Sequence, residues 1–150
     1  MIEPLDGVVS WAPFVARRRV AFSDCDPAGV VFAGNYYKYS LWAYDLFHDH
    51  FLKPVRGPIS MPVKAASIVH TAPLRPGDTI DLAIETVSVG HTTFVVSVAG
   101  RSAGNGIFQL NLTLICTPEG VWGSCPVPTA VRDALARQSE PLHPPRVGPE

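Results

Sequence analysis

Between Phe22 and Tyr36 the chain runs Phe-Ser-Asp-Cys-Asp-Pro-Ala-Gly-Val-Val-Phe-Ala-Gly-Asn-Tyr. Two carboxylates, Asp24 and Asp26, flank a thiol, Cys25, and small residues then lead to Asn35, a type favoured at helix starts. An aspartate with an ordinary pKa of about 3.9 is ionised at neutral pH and can act as nucleophile or general base. A helix start supplies unpaired N–H groups and partial positive charge, suited to a developing oxyanion on a carbonyl. Gly34, beside that start, would let a substrate come close to the backbone. An acid, small residues and an electrophilic clamp thus fall within about ten positions of one another. Aspartates in Pro- and Gly-bearing loops also serve simply as turn acceptors, and the pattern alone leaves both roles open.

Other reactive residue types carry less. His48 and His50 lie two positions apart on a predicted helix and point about 200° from each other, so they do not share a metal. Cys25 adjoins both acids, but no sequence feature positions a base for a Cys–His mechanism. Cys25, Cys116 and Cys125 are an odd number without CxxC spacing, so they read as free thiols rather than a disulfide framework or clustered zinc site. No metal and no cofactor is implied.

The elements that must position the acids follow from pattern. Residues 1–13 read as a lead-in without sustained period. Phe14 to Phe22 is β-biased, with basic residues at 17 and 19. The loop through Pro27 and Gly29 cannot continue a strand. From Asn35 to Phe51 the chain lacks Gly and Pro, which predicts a helix of roughly 25 Å with Asn35 as its N-cap. Tyr36, Tyr39, Ala43, Leu46, Phe47 and His50 share one face of it. Tyr37, Leu41, Trp42 and Tyr44 cover the flanks, so the helix should be largely buried. Its aromatic density reads as core, although a pocket cut into that core would use the same rings.

After Pro62 come β-branched segments, 63–74, 79–89, 91–101, 106–118 and 121–128, separated by RPGD, VGH and AGNG. Their short spacing predicts antiparallel hairpins. Residues 131–137 would form a short closing helix, and 139–150 a Pro-rich tail, extended or disordered. One strand, one long buried helix and then several antiparallel strands fit an α+β fold in which a curved sheet wraps a central helix. A single domain over 1–138 results, with its core at about 15–128.

Composition removes several classes. The 150 residues are 47% hydrophobic and carry 12 Lys+Arg against 13 Asp+Glu, a formal charge of −1. That balance lacks the cationic footprint of a nucleic-acid binder. No apolar run approaches the roughly 20 residues that span a bilayer, so no membrane partner is expected. The N-terminus has acids and no basic region preceding an apolar stretch, which does not read as a secretory signal. The expectation is a cytoplasmic protein.

The run from Phe22 to Tyr36, followed by a long helix and a meander, resembles the hotdog-fold acyl-CoA thioesterases. The likeness is greatest to the 4-hydroxybenzoyl-CoA thioesterase branch, marked by a D-x-D-x-x-G-[IV]-V segment that ends in Asn-Tyr. It extends over about 15–128 in element order and is specific over 22–37. The resemblance implies that Asp26 is the catalytic carboxylate, while Asp24 matches a motif acid not assigned to chemistry. It implies that the amides around Ala33, Gly34 and Asn35 bind the thioester carbonyl, and that the protein forms a homodimer or homotetramer with shared sites. A thioester is already activated, so a carboxylate and such a clamp suffice, with Asp26 either attacking directly or activating water.

For the substrate, the resemblance implies an acyl-CoA, with an aromatic or related acyl group. Phe32, Met61, His91, Thr92 and Thr93 are the expected substrate-binding residues, with Val63 beside them. One departure stands out. Near relatives carry a basic cluster at the turn before the third helix-facing strand, where CoA phosphates are met. Here that turn is Gly90-His91-Thr92-Thr93, without Arg or Lys. Arg17, Arg18, Arg19, Arg75 and Arg101 are the available substitutes. An acyl-carrier-protein thioesterase and a non-catalytic hotdog protein that binds acyl-CoA or a partner are the alternatives.

Overall fold

The structure, a computed structural model, describes residues 6–138. The proposed tail at 139–150 lies outside the described residues. A hairpin of β1 (Gly7–Trp11) and β2 (Phe14–Arg19) comes first, then the acid loop and helix α1 (Ala33–Phe47), which continues as a wider π-helical turn over His48–Leu52. The short β3 (Ile59–Ser60) precedes β4 (Val63–His70), β5 (Thr79–Val89), β6 (Thr93–Ser102) and β7 (Asn105–Ile115). The short β8 (Thr117–Pro118) and α2 (Thr129–Arg137) close the chain.

The six long strands form one antiparallel sheet in the order β1-β2-β5-β6-β7-β4, and β3 pairs with β8. The hydrophobic alternation dictates which face is covered. Ile80, Leu82 and Ile84 of β5, Phe94, Val96 and Val98 of β6, and Leu110, Leu112 and Leu114 of β7 are all buried. They recur every second residue and so share one face. Against it lie Tyr36, Tyr39, Ser40, Ala43, Tyr44 and Phe47 of α1, whose spacing makes a wide buried stripe. The expected sheet wrapped on a central helix is the observed architecture.

Several boundaries differ from expectation, four of them for reasons the contacts show. The lead-in contains a strand: β1 is half-exposed, but its Trp11 ring stacks on His50 at 3.8 Å, tying it to the end of the helical segment. The strand at Phe14 ends at Arg19 because the Val20 N–H turns to donate to Asp78 O (2.8 Å), and Phe22–Asp24 form a 3-10 turn. The helix starts at Ala33 rather than Asn35; Phe32 occupies the cap position, and Asn35 is drawn elsewhere, as described below. Residues 121–128 are a loop, not a strand, pinned by Cys125 N–H to Cys116 O (2.9 Å) and Val127 N–H to His91 O (2.8 Å).

One close approach orients the helix start. Gly100 lies under the Phe108 ring, where an added Cβ would come within 2.6 Å of Phe108 Cδ1. That lets the ring settle on the sheet and reach Tyr36, 5.2 Å away between centroids. Gly100→Ala should therefore destabilise the protein by about 1–3 kcal/mol, read from the denaturant midpoint, because buried Phe108 has little room to retreat.

Candidate active site

The acid loop is built as a clasp around Asp24. Its Oδ2 accepts from the Ala21 N–H (3.0 Å) and from the Tyr39 hydroxyl (2.7 Å). Its main-chain carbonyl accepts from the Phe32 N–H (3.0 Å) and from Asn35 Nδ2 (2.8 Å). Asp24 thus joins both ends of the loop to the first turns of α1. This explains Asn35: its side chain is spent on Asp24 instead of capping a helix. Of the two motif acids, Asp24 is the one consumed by structure.

Asp26 is held differently. A short bridge between Cys25 and Val31, with Asp26 N–H to Val30 O (2.8 Å), closes the loop at its base. The carboxylate accepts one hydrogen bond, from the Ala28 N–H (2.9 Å), as in an Asx turn, and stays half-exposed. Gly29, whose N–H donates to Asp26 O (2.9 Å), takes φ +80°, a conformation open to glycine at little cost. Asp26 therefore keeps acceptor capacity beyond its single turn bond, which chemistry requires, while Asp24 carries two bonds on its Oδ2 that tie it to the loop and the helix.

Ala33 and Gly34 open α1, and their amides have no carbonyl a turn earlier in the helix. The Asn35 N–H donates to Phe32 O (2.9 Å), so only the two earlier amides suit an incoming oxygen. The exposed Phe32 ring leans over this turn; a Cβ on Gly34 would lie 3.0 Å from its Cε1. Beside Ala33 lies a cleft of about 320 Å3 lined by Val31, Tyr36, His70, Thr71, Ala72 and Pro73.

The electrostatics separate the acids from the thiol. Cys25 is pushed above the ordinary thiol range by partial burial and then by Asp24 and Asp26, so it is held as a thiol at neutral pH. Tyr39 is pushed up by burial and by its bond to Asp24, and it remains a donor. Among the described residues, no three His, Cys, Asp or Glu side chains gather where they could hold a metal ion, and no helix is long and apolar enough to cross a membrane.

No family model matches the sequence, and no curated protein does. Solved structures do. A gentisyl-coenzyme A thioesterase superposes with a TM-score of 0.70 at 27% identity, over 81% of this chain and 98% of that one. This chain has the hotdog fold and is similar to thioesterases. A 1,4-dihydroxy-2-naphthoyl-CoA thioesterase from Synechocystis shares the hotdog fold at TM-score 0.73 and 21% identity, over 87% of this chain and 98% of that one. So does a thioesterase from Thermus thermophilus, solved with coenzyme A and zinc, at TM-score 0.75 and 22% identity, over 87% of this chain and 97% of that one.

Within the chain the expected site residues fall into two groups. Asp26, Phe32, Ala33, Gly34 and Asn35 come together at the end of the sheet where Arg19 pairs with Thr79 and where His70 lies across from Phe108. Met61, His91, Thr92 and Thr93 lie at the other end, where Val89 faces Phe94 and Val63 faces Leu114. There the main chain of the 91–93 turn serves the fold, with His91 O and Thr92 O accepting from Val127 and Cys116. Strand β4 spans about 25 Å between the ends, so these residues do not reach Asp26 within this chain.

Sequence reasoning missed His70, Thr71 and the Tyr36 hydroxyl. His70 approaches Tyr36 with 5.3 Å between ring centroids, and the Tyr36 oxygen accepts from the Leu74 N–H (3.2 Å). Nothing local marks them; the register of β4 on β7 brings them to the helix start.

Proposed function

We propose that this protein hydrolyses acyl-CoA thioesters, with Asp26 as the working carboxylate and the Ala33 and Gly34 amides as the oxyanion clamp. The observation that carries this reading is the division of labour between the two acids. Asp24 is bound on both sides into the loop and helix, while Asp26 keeps a carboxylate with one turn bond close in the chain to the helix start. In the general-base route, Asp26 takes a proton from water as the water oxygen bonds to the thioester carbon. The oxyanion forms against the amides, collapses, and expels the CoA thiolate, which recovers the proton. In the nucleophilic route, Asp26 oxygen displaces the thiolate to give a mixed anhydride, which water then cleaves.

An aromatic acyl group is the preferred substrate. Support comes from two thioesterase neighbours named for aromatic acyl-CoAs and from the cleft beside Ala33, where Tyr36 and His70 offer ring surface. The working form proposed is at least a dimer formed through β4, the edge strand opposite β1. Antiparallel pairing of β4 with its copy would bring the Met61 and Val63 end of one strand beside the His70 end of the other.

Thiol release from a panel of aryl- and alkyl-CoA thioesters tests the reading. Turnover is expected, fastest with aryl esters. Absence of release from every CoA ester overturns it, and turnover of acyl-carrier-protein esters alone moves the substrate to a protein-borne pantetheine.

A further inference from the structure

The turn Gly90-His91-Thr92-Thr93 offers no cation to the phosphates of CoA, yet a diphosphate and a 3′-phosphate need basic donors. The fold sorts the five candidate arginines. Arg17 is committed to a two-point pair with Asp81 at 2.8 and 3.2 Å. Arg101 follows buried Gly100 on β6 and so faces away from the helix. Arg19 and Arg75 are exposed, at a strand end and a turn, with no side-chain partner among the described residues to fix them.

Arg18 is different. It has the parity of buried Phe14 and Ala16, so it projects to the helix side of β2. Its guanidinium carbon lies 5.1 Å from the centre of the Tyr39 ring and 5.2 Å from that of Trp42. These contacts are cation–π approaches, not hydrogen bonds, and they leave the N–H donors of the guanidinium unspent. Arg18 is half-buried, and among the described residues its side chain has no hydrogen bond or ion pair. A partly desolvated cation of this kind is poorly served unless an anion completes it. The nearby Asp24 carboxylate is occupied by Tyr39 and Ala21, with no ion pair to Arg18. Exposed Lys38, one helical turn before Trp42, adds a second cation to the flank.

We propose that Arg18 is the phosphate anchor for the coenzyme A half of the substrate, held ready by Tyr39 and Trp42 and assisted by Lys38. This rests on the acyl-CoA reading above. Tyr39 links the anchor to the reaction loop, since the ring that supports Arg18 also binds Asp24.

The test compares one acyl group, the best of the CoA panel, on CoA and on pantetheine, which lacks the phosphates. Arg18→Gln should lower kcat/KM for the CoA ester about 10- to 100-fold, through KM, and leave the pantetheine ester unchanged. Titration calorimetry with CoA itself should show a matching rise in Kd, and Arg18→Lys should fall between. If no thioester is cleaved, the titration still decides. CoA binding weakened by Arg18→Gln keeps the anchor while the hydrolase reading falls. Equal Kd for both proteins, or no CoA binding by the wild type, overturns it. Equal loss on both esters, through kcat, also overturns it and makes Arg18 a positioning residue acting through Tyr39.

Discussion

Asp26→Asn is expected to reduce thiol release by about 10³-fold while leaving the melting temperature within about 3 °C of the wild type. The two halves of that result have separate causes. The amide oxygen of Asn can still accept the Ala28 N–H that Asp26 Oδ1 accepts at 2.9 Å, so the turn survives. What disappears is the negative charge, and with it both routes, because an amide neither attacks a thioester nor deprotonates water at neutral pH. Asp24→Asn should behave in the opposite manner. One oxygen of Asp24 accepts from both Ala21 and Tyr39, and a carboxamide oxygen can serve both. Its cost should be about tenfold or less in activity, with a measurable drop in melting temperature from two charge-assisted bonds made neutral. Thiol release and thermal melts on both variants check this. A larger activity loss in Asp24→Asn would transfer the chemistry to Asp24.

That contrast also shows where sequence was informative. The acid loop was legible because its meaning is local: Pro27, Gly29 and the spacing of two aspartates specify a shaped turn whatever surrounds it. The sheet and its covered face were legible for a similar reason, since period-two burial in β5, β6 and β7 is written into alternation. Features decided by competition were not. Asn35 has the type of a helix cap, but the Asp24 carbonyl takes its side chain, and that carbonyl is eleven residues away. Strand β1 reads as a lead-in because it is short and half-exposed, and the His50 ring that supports it lies far along the chain. Residues 121–128 alternate like a strand, yet their amides are taken by Cys116 and His91 from two different elements. The cleft beside Ala33 depends wholly on register, which places His70 opposite Phe108 and so near Tyr36.

The same register makes the second large effect a matter of assembly. Strand β4 is the edge of the sheet, and nearly all of it is exposed, including Val69 at 68%. An eight-residue strand with unpaired main-chain groups and an exposed valine is an open template for another strand. Met61 and the 91–93 turn lie too far from Asp26 within one protomer, but a second β4 running antiparallel would carry their counterparts to the His70 end. Ser67→Lys combined with Val69→Lys should therefore give a folded monomer, since both side chains point away from the core. Like charges set against each other across the pairing line would oppose association. Activity should fall about 100-fold or more with the dimer, because the clamp and acid remain but the far wall of the substrate cleft is lost. Light scattering with circular dichroism reports assembly and fold, and thiol release reports the site. A monomer with full activity would show that one protomer holds a complete site, and an intact dimer would place the interface on another surface. A folded, inactive monomer would instead explain why substrate residues expected from the family lie at both ends of a single chain's sheet.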